Sequence, residues 1–176
     1  MNFILDANTI IYLIKLNLQE NFMEYHINSQ IFIDTSVYTE VVENGLKNNY
    51  PDAITAKKFL QNYKIPIISI DVSEHIHKFR DAGETSCAIL ALNKKTEGVC
   101  ISSDKKAIKK FATYNIPYTQ LDTVYYNLFL KAKLKEEEFF NILYKLEKIF
   151  AINPERIMFF FDLINKKQNE EKEKNE

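Results

Sequence analysis

Apolar residues along this chain follow two alternating rhythms. Short runs at Phe3-Ile4-Leu5, Gln30 to Ile33, Ile65 to Ile70, Gly98 to Ser102 and Tyr118 to Leu121 predict five strands. They are continuous rather than alternating, as expected of strands covered on both faces. Between them, apolar positions recur at helical spacing. The first stripe is Ile10, Ile11, Leu13, Ile14 and Leu18, where Asn8 or Thr9 would cap the exposed amides. The second follows the turn and cap Asp34-Thr35-Ser36 and stops near Gly45. Further stripes run from Pro51 to Tyr63, through Cys87, Ala88, Ala91 and Leu92, through Ala107, Ile108, Phe111 and Ala112, and through Val124, Leu128 and Leu130. Pro66 belongs at an edge or a strand start, and a polar connection with His75 and His77 leads to Asp81. Strands alternating with helices predict the α/β class, a three-layer αβα domain around a central parallel sheet.

Beyond Lys131 the pattern is helical only. Phe139, Ile142, Leu143, Leu146 and Phe150 form one stripe, and Asn153-Pro154 opens a last helix in which Asn153 caps. That helix carries Ile157, Met158, Phe159, Phe160, Phe161, Leu163 and Ile164, more apolar residues than one core-facing stripe requires. It either packs into the core or presents a partner surface. From Lys166 the polar run has nothing to bury and is expected to fray. The expected organisation is one domain over 1–165, with 131–165 as a helical extension and 166–176 as a disordered tail.

Composition narrows the function classes. A length of 176 residues suits one domain, and 46% hydrophobic residues exclude a disordered chain. A net charge of −1 provides no overall positive field, so nucleic acid would have to be met by local lysine clusters. Cys87 and Cys100, far apart and in apolar contexts, suggest neither a disulfide framework nor a zinc motif and read as buried thiols. No basic leader and no stretch of about 18 apolar residues is present, so a cytoplasmic protein without membrane contact is expected.

Four acids stand out by position. Asp6 and Asp104 each follow a strand, at the carboxyl ends where open α/β sheets place ligands. Glu40 sits at the margin of an apolar helical stripe, with Glu43 its rival. Glu84 continues the line of Cys87, Ala88 and Ala91. Capping offers a competing account: Asp104 can cap its helix, and Asp81 with Glu84 can form a capping box. If the four converge, each pair at about 4 Å repels by roughly 4 kcal/mol at an effective dielectric near 20. Either some carboxyls are protonated or a divalent cation neutralises them. Oxygen-only donors select Mg²⁺ or Mn²⁺ over zinc, and such a cation suits hydrolysis of a phosphodiester.

The order and setting of these residues resemble the PIN-domain family of nucleases, including VapC-type toxins, over about residues 1–130. The motifs are Ile4-Leu5-Asp6-Ala7-Asn8, Thr35-Ser36-Val37-Tyr38-Thr39-Glu40-Val41, Gly83-Glu84-Thr85-Ser86-Cys87-Ala88-Ile89 and Ile101-Ser102-Ser103-Asp104. The resemblance implies a sheet in the order 3-2-1-4-5, which sets the first and fourth strands side by side. It also implies Mg²⁺- or Mn²⁺-dependent RNA cleavage leaving a 5′-phosphate, with Asp6, Glu40, Glu84 and Asp104 as catalytic metal ligands. Relatives often carry Asp where Glu84 stands, and Thr near the fourth acid where Ser102 and Ser103 stand. By the same analogy Asn8 orients Asp104 through a hydrogen bond. Asp122 and Asp81 are weaker acidic candidates, Asp122 having a helix cap as its competing account.

For substrate contact the sequence offers Lys105, Lys106, Lys109 and Lys110 beside Asp104, which otherwise form a solvated helix face. Tyr12 and Tyr38 are candidates for stacking on bases. The expected partners are RNA, a protein inhibitor of the antitoxin kind and a second copy of the chain. Two alternatives stay open. Leu5-Asp6-Ala7-Asn8-Thr9 also looks like the Asp-x-Asp-x-Thr opening of haloacid-dehalogenase-type phosphatases, with Asp6 as nucleophile and Asn8 breaking the second acid. The other is a non-catalytic module of the same fold that binds RNA or protein.

Overall fold

The first strand, β1 (Asn2–Leu5), buries Phe3, Ile4 and Leu5, and the chain turns at once into helix α1 (Ala7–Lys15). The computed structural model describes residues 2–73, 81–93 and 97–173, so the connection holding His75 and His77 lies outside the described residues. A short helix absent from the apolar pattern, α2 (Gln19–Tyr25), comes next. It inserts a single buried residue, Phe22, against Phe3 at 6.4 Å between ring centroids. One buried anchor per two turns is too sparse to register as a stripe.

β2 (Ile31–Asp34), β3 (Ile67–Ile68), β4 (Gly98–Ile101) and β5 (Tyr118–Thr119) complete the sheet. All four pairings are parallel, in the order β3-β2-β1-β4-β5. With helices packed around this sheet, the architecture is the three-layer αβα fold expected. β3 is two residues long where six were expected. Pro66 supplies no N–H and lies at the edge, and its carbonyl accepts from the Ile33 N–H at 3.2 Å.

After β2 the chain winds through α3 (Thr35–Tyr38), a π-helical segment (Thr39–Asn44) and α4 (Gly45–Lys47). Gly45 therefore does not stop the helix: its φ is −61°, and Asn49 at φ 57° ends the run. The glycine is needed for close packing instead. A Cβ there would lie 2.7 Å from the Cβ of Ala53 in α5 (Pro51–Asn62). Gly45→Ala is expected to cost about 1–3 kcal/mol, the usual effect of overpacking, despite alanine's better helix propensity. A fall in the urea midpoint with unchanged slope checks this.

α6 (Ala82–Leu92), α7 (Lys105–Thr113) and α8 (Leu121–Leu130) follow the third, fourth and fifth strands. The small residues of α6 pack tightly: Cys87, Ala88 and Ala91 are buried, and Cys100 Sγ donates to the Cys87 carbonyl at 3.1 Å. Both cysteines are free and buried.

The chain divides into two compact units, Met1–Val124 and Tyr125–Glu176, with the boundary inside α8. The second contains α9 (Glu136–Lys148) and α10 (Pro154–Glu173). Phe139, Leu143, Leu146, Phe160 and Ile164 are buried, and Phe139 meets Phe160 edge-on at 5.4 Å. Burial divides the aromatic helix residue by residue. Ile157, Phe160 and Ile164 are buried, whereas Met158, Phe159 and Phe161 are about half exposed (59%, 50% and 47%). The helix also continues to Glu173 where the polar run was expected to fray. Lysine, glutamine and glutamate, which fill most of this run, are good helix formers and continue it without burial. Among the described residues no helix is long and apolar enough to cross a membrane.

Candidate active site

The parallel register decides what meets at the strand tips. Leu5 pairs with Ile101, so the residues that follow, Asp6 and Ser102, stand next to each other as the chain leaves the sheet. The Asp6 N–H still reaches the Ile101 carbonyl at 3.3 Å, and the Thr9 hydroxyl donates to the same carbonyl at 2.8 Å. The adjacency of the first and fourth strands is thus present.

Above these tips lies a cavity of about 230 Å³ lined by Asp6, Ala7, Asn8, Glu40, Asp81, Gly83, Glu84, Asp104 and Ala107. Asp6, Glu40, Glu84 and Asp104 all face this one space, joined by Asp81. Glu40 is carried in by the π-helical segment, whose wider turn resets the facing of the residues within it. Its rival Glu43 is tied at the surface, accepting from the Thr39 hydroxyl at 2.9 Å. Asp122 is buried elsewhere, accepting from the Thr123 N–H at 2.5 Å, and does not line the cavity.

Capping and cavity-lining coincide in this fold. Asp6 caps α1, accepting from the Thr9 N–H at 2.7 Å, whereas Asn8 and Thr9, the caps expected from sequence, lie inside the helix. Asp104 caps α7 through the N–H groups of Lys106 at 2.6 Å and Ala107 at 3.1 Å. Asp81 caps α6 through the Glu84 N–H at 2.8 Å. Each acid commits Oδ1 to a helix terminus and leaves a second oxygen.

Ser102 links two of them. It is fully buried, its hydroxyl accepts from the Asp104 N–H at 3.2 Å, and it hydrogen-bonds the Asp6 carboxylate. The expected hydrogen bond between Asn8 and Asp104 does not form. The backbone amides of α7 hold Asp104, and Asn8 contributes to the cavity wall instead. Ser103 is half-buried beside them.

Burial pushes the Asp6 carboxyl above its ordinary range, with the Asp104 charge adding to the rise and the Ser102 and Thr9 hydrogen bonds opposing it. Glu40 is also raised, by burial first and then by Asp81 and Asp6. The Tyr12 phenol is raised by burial and by the same two acids, Asp6 and Asp104, which places it within their field. Tyr38 is half-buried on α3, away from the cavity lining. Lys105, Lys106 and Lys109 are exposed, whereas Lys110 turns inward and pairs with Glu84.

The donors are all hard carboxylate oxygens, and burial makes two of them, Asp6 and Glu40, costly to ionise, which is the chemistry a divalent cation answers. Their spacing is more open. Among the described residues no three acid, histidine or cysteine side chains stand close enough together to enclose an ion. The cavity is also wider in membership than the sequence suggested. Gly83, Ala7 and Ala107 line it by leaving room, a contribution that only their positions beside the acids could have signalled.

An all-parallel 3-2-1-4-5 sheet with acids gathered beyond the central strand tips defines a doubly wound α/β fold with its crevice at the switch point. A family model described as DUF3368, PIN domain, matches residues 2–119, and the chain belongs to the PIN-domain family. PIN domains are generally nucleases. No curated protein matches the chain.

Proposed function

We propose that this chain is a Mg²⁺- or Mn²⁺-dependent endoribonuclease whose cavity acids, Asp6, Glu40, Glu84 and Asp104, hold the cation. The observation that carries the reading is the convergence of these four side chains on one cavity at the carboxyl end of β1 and β4. A bound divalent cation supplies a water of lowered pKa and stabilises charge on the attacked phosphate. The protein's own part is to present carboxylate oxygens in fixed directions. Asp6 and Asp104 are fixed by helix amides and by Ser102, and the π-helical segment carries Glu40 to the cavity.

RNA is the proposed substrate. Lys105, Lys106 and Lys109, exposed on the first turns of α7 after Asp104, would meet phosphates, and Tyr12, within the field of Asp6 and Asp104, would stack on a base. The reading extends to a cytoplasmic toxin of a toxin–antitoxin pair. Its partners would be a protein inhibitor and a second copy of the chain, for which Met158, Phe159 and Phe161 leave apolar surface. The phosphatase alternative requires Asp6 as a free nucleophile. One of its oxygens is bound to Thr9 N–H and the carboxylate is bridged to Ser102, which suits a ligand better than a nucleophile.

Incubating purified protein with end-labelled single-stranded and hairpin RNA tests the proposal. Cleavage is expected with Mn²⁺ or Mg²⁺ and should cease on chelation. RNA left intact at every cation concentration would favour the non-catalytic module.

A further inference from the structure

Glu84 and Lys110 form an ion pair that crosses the rim of the cavity from α6 to α7. Lys110 lies three residues beyond Ala107, a cavity-lining residue, so it continues the same helix face one turn on. Its side chain is 31% exposed and that of Glu84 19%, so the pair is screened less than a surface pair. The neighbouring Lys105, Lys106 and Lys109 are exposed.

This contact bears on one of the acids, Glu84. A carboxylate engaged by an ammonium cannot offer the same oxygen to a cation without breaking the pair, and a positive charge at the rim also repels an incoming divalent ion. Glutamate is long enough to be drawn to Lys110 while its backbone remains at the cavity, whereas an aspartate is one methylene shorter.

We infer that Lys110 is a positioning residue that holds Glu84 off the other carboxylates and thereby sets the cation affinity of the cavity. The inference rests on the metal-dependent reading above. The lysine acts as an internal counter-ion to Glu84, the cavity acid that has a lysine partner among the described residues, and leaves it as a ligand released only when a cation outcompetes the ammonium.

The test is Mn²⁺ titration by calorimetry of wild type, Lys110→Met, Lys110→Gln and Lys110→Arg, with circular dichroism confirming the fold. Lys110→Met is expected to bind Mn²⁺ roughly tenfold more tightly, because one competing positive charge is gone. Lys110→Gln should shift the same way and stands in for Lys110→Met if that variant does not fold. Lys110→Arg, which keeps the charge, should restore an affinity close to wild type. A merely structural role for Lys110 would weaken binding or leave it unchanged in the neutral variants. Either result overturns the inference while leaving the metal-dependent reading in place if wild type binds Mn²⁺. No Mn²⁺ binding in any of the four proteins overturns both.

Discussion

Replacing Asp6 and Asp104 together with asparagine is expected to lower Mn²⁺-dependent RNA cleavage by more than about a thousandfold, since two ligands of one proposed site are lost. The chain should nevertheless fold as well as before. Asparagine keeps the oxygen that accepts from Thr9 N–H at position 6 and from the Lys106 and Ala107 N–H groups at position 104. It also caps helices about as well as aspartate. Relative to wild type, the variant should gain stability as pH rises. Burial raises the Asp6 carboxyl above its ordinary value, so at low pH the group is neutral in both folded and unfolded chains and costs nothing. As pH rises the unfolded chain ionises first, and the folded state loses stability through the folded pKa. Asparagine removes that loss, so the variant's advantage should be small near pH 4 and larger at pH 7. Urea denaturation at both pH values measures it. Persistent cleavage, or a variant that becomes less stable as pH rises, would falsify the assignment of these two acids.

Ser102→Ala is expected to have the second largest effect, a loss of about 10- to 100-fold in activity, as for residues that orient metal ligands. The hydroxyl is fully buried and serves both Asp6 and the Asp104 N–H. Its bond to Asp6 opposes the effect of burial, so without it the carboxyl should rise further and the acid limb of the pH–rate profile should move to higher pH. Volume hardly changes, and stability should fall by only about 1 kcal/mol, the net worth of such a bond. The profile separates two explanations. A lower rate with an unmoved acid limb would assign Ser102 a packing role only.

Much of the fold was legible because strand and helix rhythms are strong in this chain. β1 and β4 stand within a residue of the expected runs, and Pro66 marks an edge strand. What was not legible depended on long-range contacts. Gly45 looks like a helix stop in isolation, and only the approach of Ala53 shows that it is a packing glycine. The π-helical segment that carries Glu40 has no sequence signature, since its wider turn reflects what α3 and α5 pack against. At the site, Asp6 and Asp104 could be picked out at strand tips, Glu84 on a small-residue stripe, and Glu40, with Glu43 as a rival, at the margin of an apolar helical stripe. The partnership of Glu84 with Lys110 could not, because these residues are 26 positions apart on different helices. Capping and cavity-lining also looked like rival explanations for Asp104 and Asp81, and the structure shows the same residues doing both.

That coincidence bears on how so acidic a crevice would admit the proposed polyanionic substrate. Asp6, Asp81 and Asp104 cap α1, α6 and α7, so three helix amino termini converge on the space bounded by the carboxylates. Each terminus carries about half a positive elementary charge, together roughly one and a half. Their amide dipoles are built into the backbone and do not depend on pH or on side-chain rotamers. An approaching phosphodiester therefore meets a field less repulsive than the count of acids implies, at the kind of helix end that ordinarily receives phosphate. Asp6 and Asp104 tie α1 and α7 to the sheet tips, and the three helices in turn offset the charge the aspartates bring.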